Sequence, residues 1–182
     1  MAISIETIKG YLKKCGIENF GTPEEDVILF GTQTPFGTQG FIIRLLEDGG
    51  MFRMSTNMLD ENNNVLSVKE HKYLNMVLAE MLFKNYQTKF GTWEYNTETG
   101  EIVLTVEIPV EDGTITLNQF KRIMDLLVRD GGQGFNDIKY ILKHGKKQSE
   151  EEIKGEILDF MKKEIEKMEK ELKSGGKGIT EI

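Results

Sequence analysis

Cysteine is almost absent from this chain of 182 residues. Cys15 stands alone, so no internal disulfide can form. Histidine is nearly as scarce. His71, His144 and Cys15 together are too few for a Cys/His zinc cage, so neither metal nor cofactor is expected. No apolar run is long enough to cross a bilayer, and the N-terminus lacks the apolar core of a signal peptide. The expected setting is therefore the reducing cytoplasm, with no membrane partner. Positive charge is also short. The 23 Lys and Arg stand against 30 Asp and Glu, giving a net charge of −7. That sign repels phosphate and argues against a nucleic-acid partner. What remains is 38% hydrophobic and 29% charged. A chain of this length buries ~70% of its unfolded surface and folds without covalent staples.

Periodicity divides the chain into elements. Ile5, Ile8, Leu12 and Cys15 recur at helical spacing between Ser4, a cap residue, and Gly16, a stop. Cys15 lies on that apolar stripe and reads as a small buried hydrophobe instead of a reactive thiol. Val27 to Phe30, Phe41 to Leu46 and Met51 to Asn57 read as three strands. Glu47-Asp48-Gly49-Gly50 makes a hairpin of the last two, and Gln33 to Gly40, with Pro35, is expected as a longer loop. Asp60 to Asn64 reads as an unstructured polar stretch. Ser67 and Glu70 match a capping box, placing His71 in the first turn of a helix that carries Leu74, Val77, Leu78, Met81 and Leu82 toward a core.

Lys89 to Tyr95 and Glu101 to Pro109 form a second expected hairpin through Asn96 to Gly100. Glu111-Asp112-Gly113 is a turn. Thr116 and Gln119 match another capping box, before Phe120, Ile123, Met124, Leu127 and Val128. Gly131 and Gly132 are expected to stop that helix, and Asn136 to cap a short one closed by Gly145. The reading is an α+β fold: an antiparallel sheet in the order α-β-β-β-α-β-β-α with helices packed on it, plus a C-terminal amphipathic helix. Its expected organisation is a domain over residues 1–145, a Lys/Glu-rich helix over 146–173 and a flexible tail over 174–182.

Chemistry-bearing motifs fail one after another. Gly176-Lys177-Gly178 has neither the residues nor the context of a phosphate loop, and Gly132-Gln133-Gly134 follows a helix instead of a strand. Asp60 to Asn64 has alternating oxygens, but the calcium-loop glycine position holds Val65 and the bidentate glutamate position holds His71. His71 reads as a surface residue and His144 as a helix-end residue suited to the dipole. Phe90, Trp93 and Tyr95 read as packing residues. No catalytic or cofactor-binding residue is assigned.

The last third of the chain has a narrow apolar line. Leu158, Met161, Ile165, Met168 and Leu172 are spaced 3, 4, 3, 4 along a helix that begins near Ser149. These five residues are the candidate protein-interaction site, toward a second copy, a protein partner or the chain's own domain.

The segment from His71 to Leu127 resembles the YbjN-like family of bacterial sensory-transduction regulators. The resemblance is carried by Leu74-Asn75, Leu82 with Asn85, Phe90-Gly91-Thr92-Trp93-Glu94-Tyr95, Gly100-Glu101-Ile102-Val103-Leu104 with Pro109, and Thr116-Leu117-Asn118-Gln119-Phe120. That family is similar in fold to the chaperones of type III secretion, small acidic dimers that hold extended segments of an effector. The empty site inventory, the acidic chain and the edge strands of an open antiparallel sheet, which an extended peptide can join, point with this resemblance to a non-enzymatic protein-binding module, a regulator or chaperone-like adaptor, with a homodimer as one form. The alternative is a small-molecule binder or enzyme with an unannounced pocket.

Overall fold

A computed structural model of the chain describes residues 3–34, 37–60, 62–88, 90–111 and 113–175. For residues 156, 157, 160 and 171–175 it describes the backbone alone. Pro35, Glu61, Lys89, Asp112 and the 176–182 end of the expected tail lie outside the described residues. Contacts divide the chain into two units, Met1–Lys146 and Lys147–Ile182.

The first unit is an α+β fold around a six-stranded antiparallel sheet. Helix α1 (Ile5–Lys14) is capped by the Ser4 hydroxyl, which accepts from the Thr7 amide at 3.3 Å. Strands β1 (Phe20–Glu24), β2 (Val27–Thr34), β3 (Gly37–Leu46) and β4 (Met51–Asn57) form a meander. Helix α2 (Leu74–Gln87) follows, then β5 (Thr92–Tyr95) and β6 (Ile102–Pro109). The spatial order is β1-β2-β3-β4-β6-β5, so β6 pairs with β4 and leaves β5 at one edge and β1 at the other.

Several expectations are corrected. Strand β1 was not foreseen, because Phe-Gly-Thr-Pro-Glu contains both residues that weaken strands. It survives because it is an edge, where Pro23 owes no ladder bond on its outer side. The expected loop from Gln33 to Gly40 is mostly ladder, running from Val27↔Arg44 to Thr34↔Gly37. Thr38 donates its hydroxyl to the Gln33 side-chain oxygen at 3.0 Å, and β-branched threonines suit the pleat. Ser67 does not cap α2. It bridges to Glu101, and its hydroxyl donates to the Thr99 carbonyl at 2.7 Å. Glu70 has positive φ, and α2 starts only at Leu74. His71 therefore sits before the helix, its Nδ1 accepting from the Tyr73 amide at 3.2 Å.

Helix α3 (Leu117–Leu126) opens on the full Thr116–Gln119 capping box. Gly131 and Gly132 do not stop it. Both are right-handed, and the chain passes through a π-helical turn (Leu127–Gly131) into α4 (Gly132–His144). Asn136 is then an interior residue of α4 and caps nothing. Glycine here allows close approach: a Cβ at Gly131 would lie 2.8 Å from Thr56 Cγ2, and one at Gly134 would overlap the Trp93 ring. Gly145, left-handed at φ 67°, closes α4 as expected.

Helices α1 to α4 share one face of the sheet. Ile8, Leu12, Val77, Met81, Phe120, Ile123, Phe135, Ile138 and Ile141 form one cluster with Phe30, Phe41, Ile43, Phe52, Met54, Leu104 and Val106. Fully buried Phe120 meets Tyr11 and Phe52 at ring-centre distances of 5.7 and 6.3 Å. Trp93 meets Phe135 edge-on at 5.2 Å. Lys84 on α2 reaches Asp137 on α4 at 2.5 Å, with Glu80 at 3.6 Å. In the second unit, α5 (Glu150–Gly175) opens with the Ser149 hydroxyl accepting from the Glu152 amide at 3.2 Å. The Glu152 carboxylate accepts from the Ser149 amide in return, at 2.8 Å.

Candidate functional site: the open sheet face and the outer side of α2

Strand alternation sends every second residue of the sheet away from the helices. One row on that open face runs Leu29–Ile42–Ser55–Thr105–Thr92 across five strands. The row beside it runs Val27–Arg44–Arg53–Glu107, which places two arginines directly opposite each other on β3 and β4. Arg53 is anchored by two carboxylates, Glu94 on β5 and Glu107 on β6, each at 2.9 Å. Arg44 has no carboxylate within ion-pair distance among the described residues, and it is exposed. Both arginines line a cleft of ≈ 530 Å³ whose floor includes Ile42, Ser55, Asn57 and Val103 and whose far side is Glu94 to Asn96 and Glu101.

Two oxygens on this face are buried without a hydrogen-bond partner, Asn57 Oδ1 and Thr105 Oγ1. Orphans of this kind are rare in folded proteins, where buried polar atoms are partnered.

The second feature is the outside of α2. Leu82 is 73% exposed and Tyr86 88% exposed, and Phe83 and Met76 of the same helix are exposed too, as is Phe90 beyond its end. Ala79, Leu82, Phe83, Asn85 and Tyr86 enclose a shallow apolar hollow. The expectation that Leu82 faces the core is therefore wrong. The core side of α2 is Val77 and Met81, with Leu74 and Leu78 only partly buried. The signal was present in the sequence. Met76, Val77, Leu78, Ala79, Met81, Leu82 and Phe83 cover more of the helix than one face of a sheet can bury.

The tail residues proposed from the sequence are placed on α5. Leu158, Met161, Ile165 and Met168 are between 50% and 57% exposed, and the side chain of Leu172 lies outside the described set.

Cys15 is half-buried against the core, and desolvation pushes its thiol above the ordinary value while Lys121 pulls the other way. Asp60 is held below its ordinary value because its Oδ1 accepts the amides of Asn64 and Asn62, both at 2.8 Å. Asp60 and Asn62 to Asn64, expected to be unstructured, thus form an ordered turn bracketed by a Leu59–Val65 bridge. Arg129 is raised by its exposed contact with Asp130. His144 lies against Tyr140 in the last turn of α4, with ring centres 4.3 Å apart. Among the described residues no group of three or more His, Cys, Asp and Glu is placed to hold a metal ion. No helix among them is long and apolar enough to cross a membrane.

No protein-family model and no curated protein matches the chain. Solved structures similar to the chain include the following two. One is a chain in the structure of the HopA1–SchA chaperone–effector complex, at 8% identity and a TM-score of 0.48, with 70% of this chain and 88% of that one covered. The other is a chain in the crystal structure of the ExsC–ExsE complex, at 12% identity and a TM-score of 0.47, with 73% and 92% covered.

Proposed function

We propose that the chain is a non-enzymatic protein-binding module, a regulator or chaperone-like adaptor that acts through protein–protein contacts. The observation that carries this reading is the outer surface of α2. Leu82, Phe83 and Tyr86, with Ala79, line one exposed apolar hollow on a rigid helix. Such patches mark protein contacts, because leaving them in water forgoes the stabilisation of burial. Tyrosine and phenylalanine at the centre supply large contact area at small entropic cost. The α5 stripe of Leu158, Met161, Ile165, Met168 and Leu172 belongs to the same reading as a second helix seam. A cytoplasmic homodimer and a YbjN-like identity are its finer parts.

The test uses the full chain and the variant Leu82→Glu with Tyr86→Glu, whose changes are on exposed positions. Proteins retained from the source cell by the first and lost by the second are identified, purified and measured again by calorimetry. Sedimentation of the isolated chain tests the second copy as occupant. The reading holds if a purified partner, or the chain itself, binds the parent and is weakened at least ~10-fold by the variant, a loss of about 1.4 kcal/mol. Equal binding by both proteins removes α2 from the reading.

A small-molecule binder is the second reading, favoured by the ≈ 530 Å³ cleft on the sheet face. A metabolite that raises the melting temperature in step with the logarithm of its concentration would establish it.

A further inference from the structure

The charges on the open sheet face do not balance locally. Arg53 is matched by Glu94 and Glu107, while Arg44, its cross-strand neighbour, is matched by nothing among the described residues. Like charges directly opposite on neighbouring strands are unfavourable unless something of opposite sign meets them. A planar guanidinium pairs with a carboxylate or a phosphate through two parallel N–H donors. Phosphate is the poorer match here, because Glu94 and Glu101 line the same cleft and Glu107 stands beside it, repelling a second negative charge.

An independent observation lies at the other end of the cleft. Asn57 lines it, is only 7% exposed, and has an oxygen with no partner. A half-turn of the amide exchanges its oxygen and nitrogen, so an occupant can satisfy it as donor or acceptor. Asn57 is four residues along β4 from Arg53, the residue opposite Arg44. At ~3.3 Å per residue the two polar anchors are about 13 Å apart along the strand direction. Ile42 lies between them on the cleft floor. A small carboxylic acid cannot reach both ends.

We infer that this cleft is a docking site for an extended peptide segment with a single carboxylate, held on Arg44, and a hydrogen-bonding side chain on Asn57. In an extended peptide, side chains on one face repeat every ~6.6 Å. Residues four apart then meet the two anchors, and the residue midway meets Ile42. The inference goes beyond the protein-binding reading, which stands on α2 and α5, because it names a different face and the chemistry of what lies on it.

The probe is a blocked heptapeptide with glutamine, valine and glutamate at its second, fourth and sixth positions and threonine elsewhere. Its binding to the full chain is followed by fluorescence anisotropy of a labelled copy and by amide chemical shifts. Saturable binding is expected, with the largest shifts at Arg44, Ile42 and Asn57. Arg44→Gln, replacement of the peptide's glutamate by glutamine, and added salt are each expected to weaken it, the first two about 10-fold. Asn57→Ala is expected to weaken it with Arg44 intact. Circular dichroism checks that each variant is folded. No saturable binding at ~1 mM peptide overturns the inference. So does equal affinity for Arg44→Gln, or displacement of the peptide by equimolar succinate or inorganic phosphate, which would make the cleft a small-anion site. The Leu82→Glu/Tyr86→Glu variant is expected to bind the heptapeptide as the parent does. Failure here therefore leaves the α2 reading standing, and failure there leaves this one.

Discussion

Gly134 lies where α4 crosses the Trp93 indole, and a methyl group at that position overlaps the ring. Gly134→Ala is therefore expected to destabilise the protein by about 1–3 kcal/mol, even though alanine is the better helix former. An unchanged melting temperature would show that Trp93 yields without cost. Asp60 offers a second test at this scale. Its carboxylate is held down chiefly by the Asn64 amide, then by that of Asn62. A depressed folded value means that its contribution to stability is present above the ordinary value of 3.8 and is lost as pH falls through the folded one. A carboxyl titration followed by nuclear magnetic resonance is expected to place the Asp60 midpoint below 3.8, and a midpoint at or above that value contradicts the turn geometry. Cys15 shifts the other way, so at mildly alkaline pH it is expected to react with disulfide reagents more slowly than free cysteine.

Helices α3 and α4 depend on one extra residue. A π-turn takes one extra residue into the helical path in a single widened turn. Deleting Arg129, an exposed residue of that turn, is expected to draw α4 toward α3 by about one helical rise, ~1.5 Å, and so to spoil the close crossings of Gly131 on Thr56 and Gly134 on Trp93. Loss of cooperative melting is the expected outcome, and a preserved transition would show that the turn is incidental. The same elements show what was legible beforehand. Alternation in Met51 to Asn57 and Ile102 to Ile108, and the Thr116–Gln119 box, are local signals, and each stands in the structure. Gly131 and Gly132 were misread because a helix stop and a close crossing ask for the same small residue, and only the neighbour, Thr56, distinguishes them. Ser67 was misread for a similar reason, since its hydroxyl had a distant partner in Thr99. The Arg44–Arg53 pair was invisible because it depends on the register of β3 against β4.

For the whole molecule, the sharpest test is the stripe on α5. Ile165→Asp with Met168→Asp places two charges on the proposed seam. Sedimentation is expected to show an oligomer coming apart while the circular dichroism of residues 1–146 persists. A chain that is monomeric from the outset, and a variant that melts far earlier, would end the assembly reading for α5. Strand order has a consequence of another kind, in the timing of folding. The four strands from Phe20 to Asn57 pair with their neighbours in sequence, through turns of a few residues. The β4–β6 ladder instead brings Asn57 against Val103, and everything between, α2 and β5 included, must be looped out before the first bond of that ladder forms. Closing so long a loop is entropically slow, whereas hairpins close in microseconds. The meander should thus be assembled early and wait for β6. Substitutions at Ile43 would then slow folding, and substitutions at Trp93 would mainly speed unfolding.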